Sequence, residues 1–313
     1  MEQVTSIVSS RGLLKSCHSH NLKPESGSPF IDADLLANHQ AGRSIYVCTE
    51  ALRNFADNFL ADIRQPFVLV SGDADTALTE GNRFDPAIQK ILSSDLLISW
   101  YAQNIAIEYV KIFNLPIGLD YHTMWEKPGS WGISAVSAIS QENTLFNTLA
   151  ASPDFSQRYM NAYCNWRAVP GWGDRQECYE KIDRSICLFE TRAVPRNSTW
   201  LRQSEFMFVV SPEGIGMDCH RTWEAILLGC VPIVKRNALS NLFVDLPVLI
   251  VEDWSEVNGE TMLKYSSILL EKKFEFSKLF REYWIQRISG LGGAVFDTMT
   301  CFEFRKLLTR KSG

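Results

Sequence analysis

Short, nearly continuous apolar runs alternate along the chain with longer segments of helical spacing. The strand-like runs of the first half are SIYVCTE (44–50), FVLVSGD (67–73), LLISWYA (96–102) and LPIGLDYH (115–122). Those of the second half are SICLFETR (185–192), EFMFVVSPEG (205–214), VPIVK (231–235) and LPVLIVEDW (246–254). Runs without polar alternation are expected for strands buried on both faces, as in parallel sheets covered by helices. Between and after them, 51–63, 103–112, 218–228, 258–271 and 274–289 read as helices. In the last of these, Phe274, Phe276, Leu279, Phe280 and Trp284 recur near helical spacing while the polar face carries both signs, which favours packing over a membrane surface. Strand followed by helix, repeated, predicts the α/β class.

The halves join through a polar and aromatic stretch, 124–180, whose KPGSWG, ASPDFSQ and AVPGWGDRQ carry loop signals. A boundary near 155 gives two α/β domains, 1–155 and 156–285, with a helical tail over 286–313. The expectation is two such domains facing a central cleft, with ligands beyond the carboxyl ends of the strands. A length of 313 residues suits two domains.

Composition narrows the function classes. The net charge of −5 argues against a protein that tracks nucleic-acid phosphates. No apolar run approaches the length of a membrane span, and the N-terminal MEQVTSIVSSRGLLKSCHSH lacks the pattern of a leader. The eight cysteines form no Cys-x-x-Cys pair, so no zinc site is expected. Cys48, Cys187 and Cys230 lie in apolar runs as small hydrophobes. A reducing compartment, the cytoplasm, is the simplest location, with a lumenal one as the alternative.

Chemistry concentrates in SPEGIGMDCHRTWEAILLGCVPIVK, residues 211–235. Phe206–Val210 reads as a buried strand stopped by Ser-Pro. Gly214 and Gly216 permit a tight turn and close backbone approach, Asp218 is placed to cap a helix, and Gly229 to end it. His220 and Arg221 fall in the first turn, where a cation opposes the helix dipole unless an anion binds there. Glu224, four residues after His220 and three after Arg221, shares their face. It is placed to accept from ribose hydroxyls, or simply to pair with Arg221 on a solvated face. The string is neither a P-loop nor a full G-x-G-x-x-G.

As a whole, SPEGIGMDCHRTWEAILLGCVPIV followed by LPVLIVEDW resembles the C-terminal nucleotide-sugar domain of exostosin-like GT-B glycosyltransferases. Typical relatives read Ser-Pro-x-Gly-x-Gly-x-Asp-x-His-Arg-x-Trp-Glu-Ala-Leu, then Gly-x-x-Pro-Ile-Val. FVLVSGDAD and LPIGLDYH are compatible with the acceptor domain of such enzymes. The resemblance implies two Rossmann-like domains, a nucleoside diphosphate sugar as donor, a glycan hydroxyl as acceptor, and no required metal. It places Gly214, Gly216, His220 and Arg221 at the diphosphate and Glu224 at the ribose. Glu213 stands where relatives are often basic, so it either touches sugar hydroxyls or faces water. Retaining GT-B enzymes often carry two Glu with seven residues between them; from Glu213 that spacing reaches Arg221, which favours inversion.

An inverting transfer needs a general base, usually from the first domain. Asp73, at the end of its strand in SGDAD, is the leading candidate, with Asp75, Asp120, His122 and Glu50 as others. Asp73 is equally a turn residue bonding its own backbone. The Asp-Ala-Asp spacing also resembles the divalent-cation motif of GT-A enzymes, a role that the 211–235 segment argues against. Arg192 is a candidate second diphosphate clamp if strands 185–192 and 205–214 are neighbours, or pairs with Glu190 or Glu205. Tyr121, His122 and Trp125 could stack on an acceptor sugar, or pack, and Asn104 is a cleft polar group or a helix cap. A non-catalytic relative that binds glycan or nucleotide is the alternative function. A dehydrogenase is disfavoured by the missing third glycine and by Lys235-Arg236 where an acid is needed.

Overall fold

The computed structural model describes residues 2–309 except 38, 128, 131, 133, 294 and 295. Pro128 and Trp131 of the predicted KPGSWG loop therefore lie outside the described residues. Four strands, β1 (Arg43–Cys48), β2 (Phe67–Gly72), β3 (Leu97–Gln103) and β4 (Ile112–Leu115), form a parallel sheet in that order. The second sheet contains β5 (Tyr159–Cys164), β6 (Cys187–Phe189), β7 (Phe206–Val210), β8 (Val231–Lys235) and β9 (Leu249–Val251), in the order β6-β5-β7-β8-β9, again all parallel.

Successive side chains of a strand leave opposite faces of its sheet, and the continuous apolar runs fill two cores accordingly. Ile45, Val47, Phe67, Leu69 and Trp100 enter one core with α2 (Leu52–Asn58) and α3 (Pro86–Leu92). Tyr46, Val68, Val70 and Tyr101 enter the other, which continues through the second sheet. The remaining helices are α1 (Ser10–Leu14), α4 (His122–Glu126), α5 (Ala138–Ala151), α6 (Arg175–Lys181), α7 (Arg196–Gln203), α8 (His220–Leu227), α9 (Gly259–Glu271), α10 (Arg281–Ile288) and α11 (Cys301–Thr309). Helix α5 packs on α7, α8 and α11. Two layered parallel sheets facing one cleft make this an α/β protein of the GT-B arrangement.

Several predicted elements are corrected. The 103–112 segment is no helix, because Asn104 takes a left-handed backbone (φ 51) directly after β3. The strand expected over 115–122 is instead Ile112–Leu115, ahead of Pro116, which lacks the N–H a ladder needs. The helix expected over 274–289 breaks at Phe280, whose extended backbone pairs with Ile7, leaving a short turn and α10. Strand β5 lies within the stretch read as loop and separates β6 from β7.

The N-terminal segment stitches the halves together. The Ser6 and Ile7 N–H groups donate to the Glu142 carboxylate at 3.0–3.1 Å, Val8 N–H donates to Leu279 O, and Leu119 N–H to Val8 O. Gly118 (φ 62) allows this passage, since a Cβ there would lie 2.2 Å from Val8 O. No helix among the described residues is long and apolar enough to cross a membrane.

Candidate active site

Strand carboxyl ends from both sheets open onto a cleft of 530 Å³. Of the residues singled out in the sequence, Asp73, Asp75, Asp120, His122, Gly214, Gly216, Asp218, His220, Arg221 and Glu224 line it; Glu50, Asn104, Tyr121, Trp125, Arg192 and Glu213 do not.

After β7 the chain turns tightly, with Gly214 N–H donating to Gly216 O at 3.1 Å. Neither glycine has positive φ, so their value is close approach. A Cβ on Gly216 would lie 2.7 Å from Asn104 Nδ2, and one on Gly214 3.0 Å from Arg175 Nη2. Helix α8 then starts at His220 with Cys219 as its N-cap and no side-chain capping bond, so its end is left to other acceptors. Asp218 does not cap it. Its carboxylate points back, accepting the Ile117 N–H at 2.8 Å and Trp223 Nε1–H at 2.9 Å. The Asp218 N–H meets Asn104 Oδ1 at 2.9 Å. His220 Nδ1 lies 2.7 Å from Gly118 O, which can only accept, so Nδ1 carries the proton and, among the described residues, Nε2 has no hydrogen-bond partner. The motif is thus bonded directly to the first sheet's loops.

Burial raises the Asp218 carboxyl to about 6, partly opposed by the Ile117 and Trp223 bonds. A raised carboxyl binds its proton more tightly folded than unfolded, so its contribution to stability is lost as pH rises from about 4 to about 6. Asp218→Asn should therefore flatten this part of the pH–stability curve. The Tm of the variant relative to the unchanged protein is expected to rise between pH 4 and 6.5; a constant difference across that range would refute the assignment.

Arg221 donates from Nε to Asn165 Oδ1 (2.6 Å) and from Nη1 to Pro212 O (3.4 Å), with Ser211 Oγ at 3.5 Å. Arg175, missed in the sequence reading, donates from Nε to Glu213 O (3.2 Å) and lies over the Trp172 ring. Burial, and next the Arg221 charge, hold Arg175 below its ordinary value. Among the described residues neither arginine forms an ion pair. Two like charges near one another, bonded to neutral acceptors in a cleft, favour the approach of an anion.

Glu224 does not pair with Arg221. Its Oε1 meets the buried Arg196, whose Nη1 also donates to Asp120 O at 2.7 Å and lies 3.8 Å from Asp120 Oδ2. Among the described residues Glu224 Oε2 makes no hydrogen bond. Arg196, also missed, therefore ties α8 to the loop after β4. Arg192, one strand farther from β7 than expected because β5 intervenes, is exposed. Glu213 accepts from Asn237 Nδ2 at 2.7 Å, and its N–H donates to Asp174 Oδ1. It braces the turn from behind.

Among the solved structures that the chain matches is the catalytic domain of starch synthase IV from Arabidopsis thaliana, bound to ADP and acarbose. The match has 10% identity and a TM-score of 0.35, and covers 86% of this chain and 73% of that one. An overlap this loose assigns neither residue nor activity. No family model and no curated protein matches the chain.

On the first sheet's wall, Asp73 also takes a left-handed backbone (φ 56). Its Oδ2 is 2.8 Å from Arg11 Nε, both side chains being almost fully buried, and its Oδ1 accepts from Ser26 Oγ at 2.8 Å. Both carboxylate oxygens are thus already engaged by protein groups, which argues against both the base and the Asp-x-Asp readings. Arg11 is further fixed by Glu126. Beside it stands His122, with Nδ1 3.1 Å from Asp120 Oδ1 and Nε2 3.1 Å from Ser26 Oγ. Burial lowers His122 below its ordinary 6.5, although Asp120 and Asp73 pull the other way. Burial opposes the Asp120 charge, but His220, Arg196 and His122 outweigh it and hold that carboxyl well below its ordinary value. At neutral pH the pair is thus Asp120 carboxylate and neutral imidazole, with the Nδ1 proton directed at Asp120 and the Nε2 lone pair at Ser26. Ser26 has one hydroxyl proton for two claimants, Asp73 and His122. Of the aromatic candidates, Tyr121 is buried with its hydroxyl on Glu142 at 2.8 Å, and Trp125 lies outside the cleft lining. Trp172, 43% exposed, lines it instead.

Proposed function

We propose that the protein is an inverting, exostosin-like glycosyltransferase that moves a sugar from a nucleoside diphosphate to a hydroxyl of a glycan acceptor. The observation that carries this reading is the Arg175–Arg221 pair, two neighbouring cations that form no ion pair among the described residues, beside the open end of α8 and in the same cleft as a neutral His122 backed by Asp120. The diphosphate lies against both arginines and the N–H groups at the start of α8, while Glu224 Oε2 accepts from the ribose. The acceptor hydroxyl replaces Ser26 at His122 Nε2, and Ser26 keeps its proton on Asp73. As the acceptor oxygen bonds to the anomeric carbon, the bond from that carbon to the diphosphate oxygen breaks. The hydroxyl proton passes to His122 Nε2, where Asp120 stabilises the imidazolium. The leaving group's charge falls on the arginines. His122 therefore replaces Asp73 as the base, and Asp73 becomes a positioning residue for Ser26.

These cations take the place of a divalent ion, so transfer should proceed in EDTA. A panel of nucleoside diphosphates in a thermal-shift assay tests the donor site, followed by mass-spectrometric search for turned-over nucleotide sugars. Stabilisation by at least one diphosphate is expected, and none by the matching nucleoside. Indifference to every diphosphate would sink the reading.

A further inference from the structure

A second cavity, of 260 Å³, sits at the other end of α8 and shares no lining residue with the cleft. Leu149, Ile226, Leu227, Leu269, Phe276 and Phe304 make its walls apolar. Two arginines stand at its edge. Arg158, only 5% exposed, donates from Nε to Pro153 O, from Nη1 to Cys230 Sγ at 3.3 Å and from Nη2 to Ser152 Oγ at 3.0 Å. All three are neutral acceptors, the sulfur a weak one, and one N–H on each terminal nitrogen is unspent. Among the described residues Arg158 has no acidic partner. Arg305 bonds Pro153 O and Ser152 O, and the one acid it pairs with among the described residues, Asp154 at the cavity mouth, lies 3.4 Å away and largely in solvent. Burial first, and the Arg158 charge second, work against the Arg305 charge. The C-terminal end of α8 offers a partial negative charge nearby, about half of what a counterion supplies.

A buried cation without a counterion is costly, and an apolar hollow beside it leaves apolar surface without partner atoms. A ligand with an anionic head and a hydrocarbon body answers both. We propose that this cavity binds a single-chain carboxylate of medium length, its head on Arg158 and Arg305 and its chain among the leucine, isoleucine and phenylalanine side chains. The space holds roughly nine water-sized groups, close to the carbons of such a chain. The site is independent of the transfer reaction and is read by binding alone.

Decanoate and decan-1-ol, which share a chain and differ in the head, test it by calorimetry or thermal shift on the full chain. Decanoate is expected to bind at least about tenfold more tightly than the alcohol. Arg305→Gln should weaken decanoate several-fold and leave decanol unchanged. Arg158→Met should abolish the preference for the carboxylate while the ligand-free protein stays at least as stable, because an uncompensated charge has been removed. Failure of both probes to bind, equal binding of the two, or an undiminished carboxylate preference in Arg305→Gln would overturn the proposal. The last comparison decides even if Arg158→Met does not fold.

Discussion

Exchange of His122 for alanine is expected to lower kcat for sugar transfer by roughly 10²- to 10⁴-fold, with nucleoside diphosphate binding close to that of the unchanged protein. The size follows from losing a cleft group that combines an Nε2 lone pair turned to the acceptor side, neutrality near pH 7 and an ionised partner. Binding is spared because His122 stands on the wall of the first sheet, whereas the cations proposed to hold the donor belong to α6 and α8. The pH profile sharpens the test. His122 lies below its ordinary 6.5, so kcat/KM should be flat near pH 7 and fall only as the pH drops through that lowered value. The fall should be missing from the residual activity of His122→Ala. Asp120→Asn should also lose activity, since it no longer holds the Nδ1 tautomer or stabilises the imidazolium. Asp73→Asn separates the candidates: a loss as deep as that of His122→Ala would return the base to Asp73, while a shallow loss fits a residue acting through Ser26. Full activity in His122→Ala would end the assignment outright.

What the sequence could disclose tracks what is local. Runs such as FVLVS and FMFVV were legible because a parallel strand covered on both faces has no reason to carry polar residues. Strand β5, YMNAYC, was not, because its first half is partly exposed and includes Asn161, so it reads as the loop around it. Within the site, Asp120 and His122 could be named as candidates since they sit two residues apart at a strand-to-helix turn. The lock on Asp73 could not be read, because Arg11 and Ser26 reach it from a distant part of the chain. Arg196 lies in AVPRNSTW, which looks like a loop; its meaning appears only when Asp120 and Glu224 arrive from either side in sequence. Arg175 was hidden in GWGDRQ. The one local hint was Gly173 (φ 54), which lets this loop press onto the 213–214 carbonyls, where a Cβ would lie 2.5 Å from Gly214 O.

Arg221→Ala and Arg175→Ala should each weaken binding of the recognised nucleoside diphosphate by roughly 10- to 100-fold, the worth of a charge-assisted hydrogen bond to phosphate. The double variant should bind too weakly to measure. The behaviour without ligand distinguishes an anion site from a structural cluster. If these arginines served the fold, removing either would destabilise the ligand-free protein. Here they repel each other across the turn and bond only neutral acceptors, so Arg175→Ala should leave the ligand-free Tm unchanged or raised. High salt should reproduce part of that gain in the unchanged protein by screening the pair. Arg221→Ala is the costlier of the two, since it frees Asn165 Oδ1 and the Pro212 carbonyl, and Arg221→Lys restores charge without the fork. Lysine should accordingly recover part of the diphosphate affinity and little of the transfer rate, because it is the geometry of the fork that meets the oxygens of the departing diphosphate. A ligand-free Tm that collapses in Arg175→Ala, with diphosphate binding intact, would make the pair scaffolding and leave the cleft without a donor site.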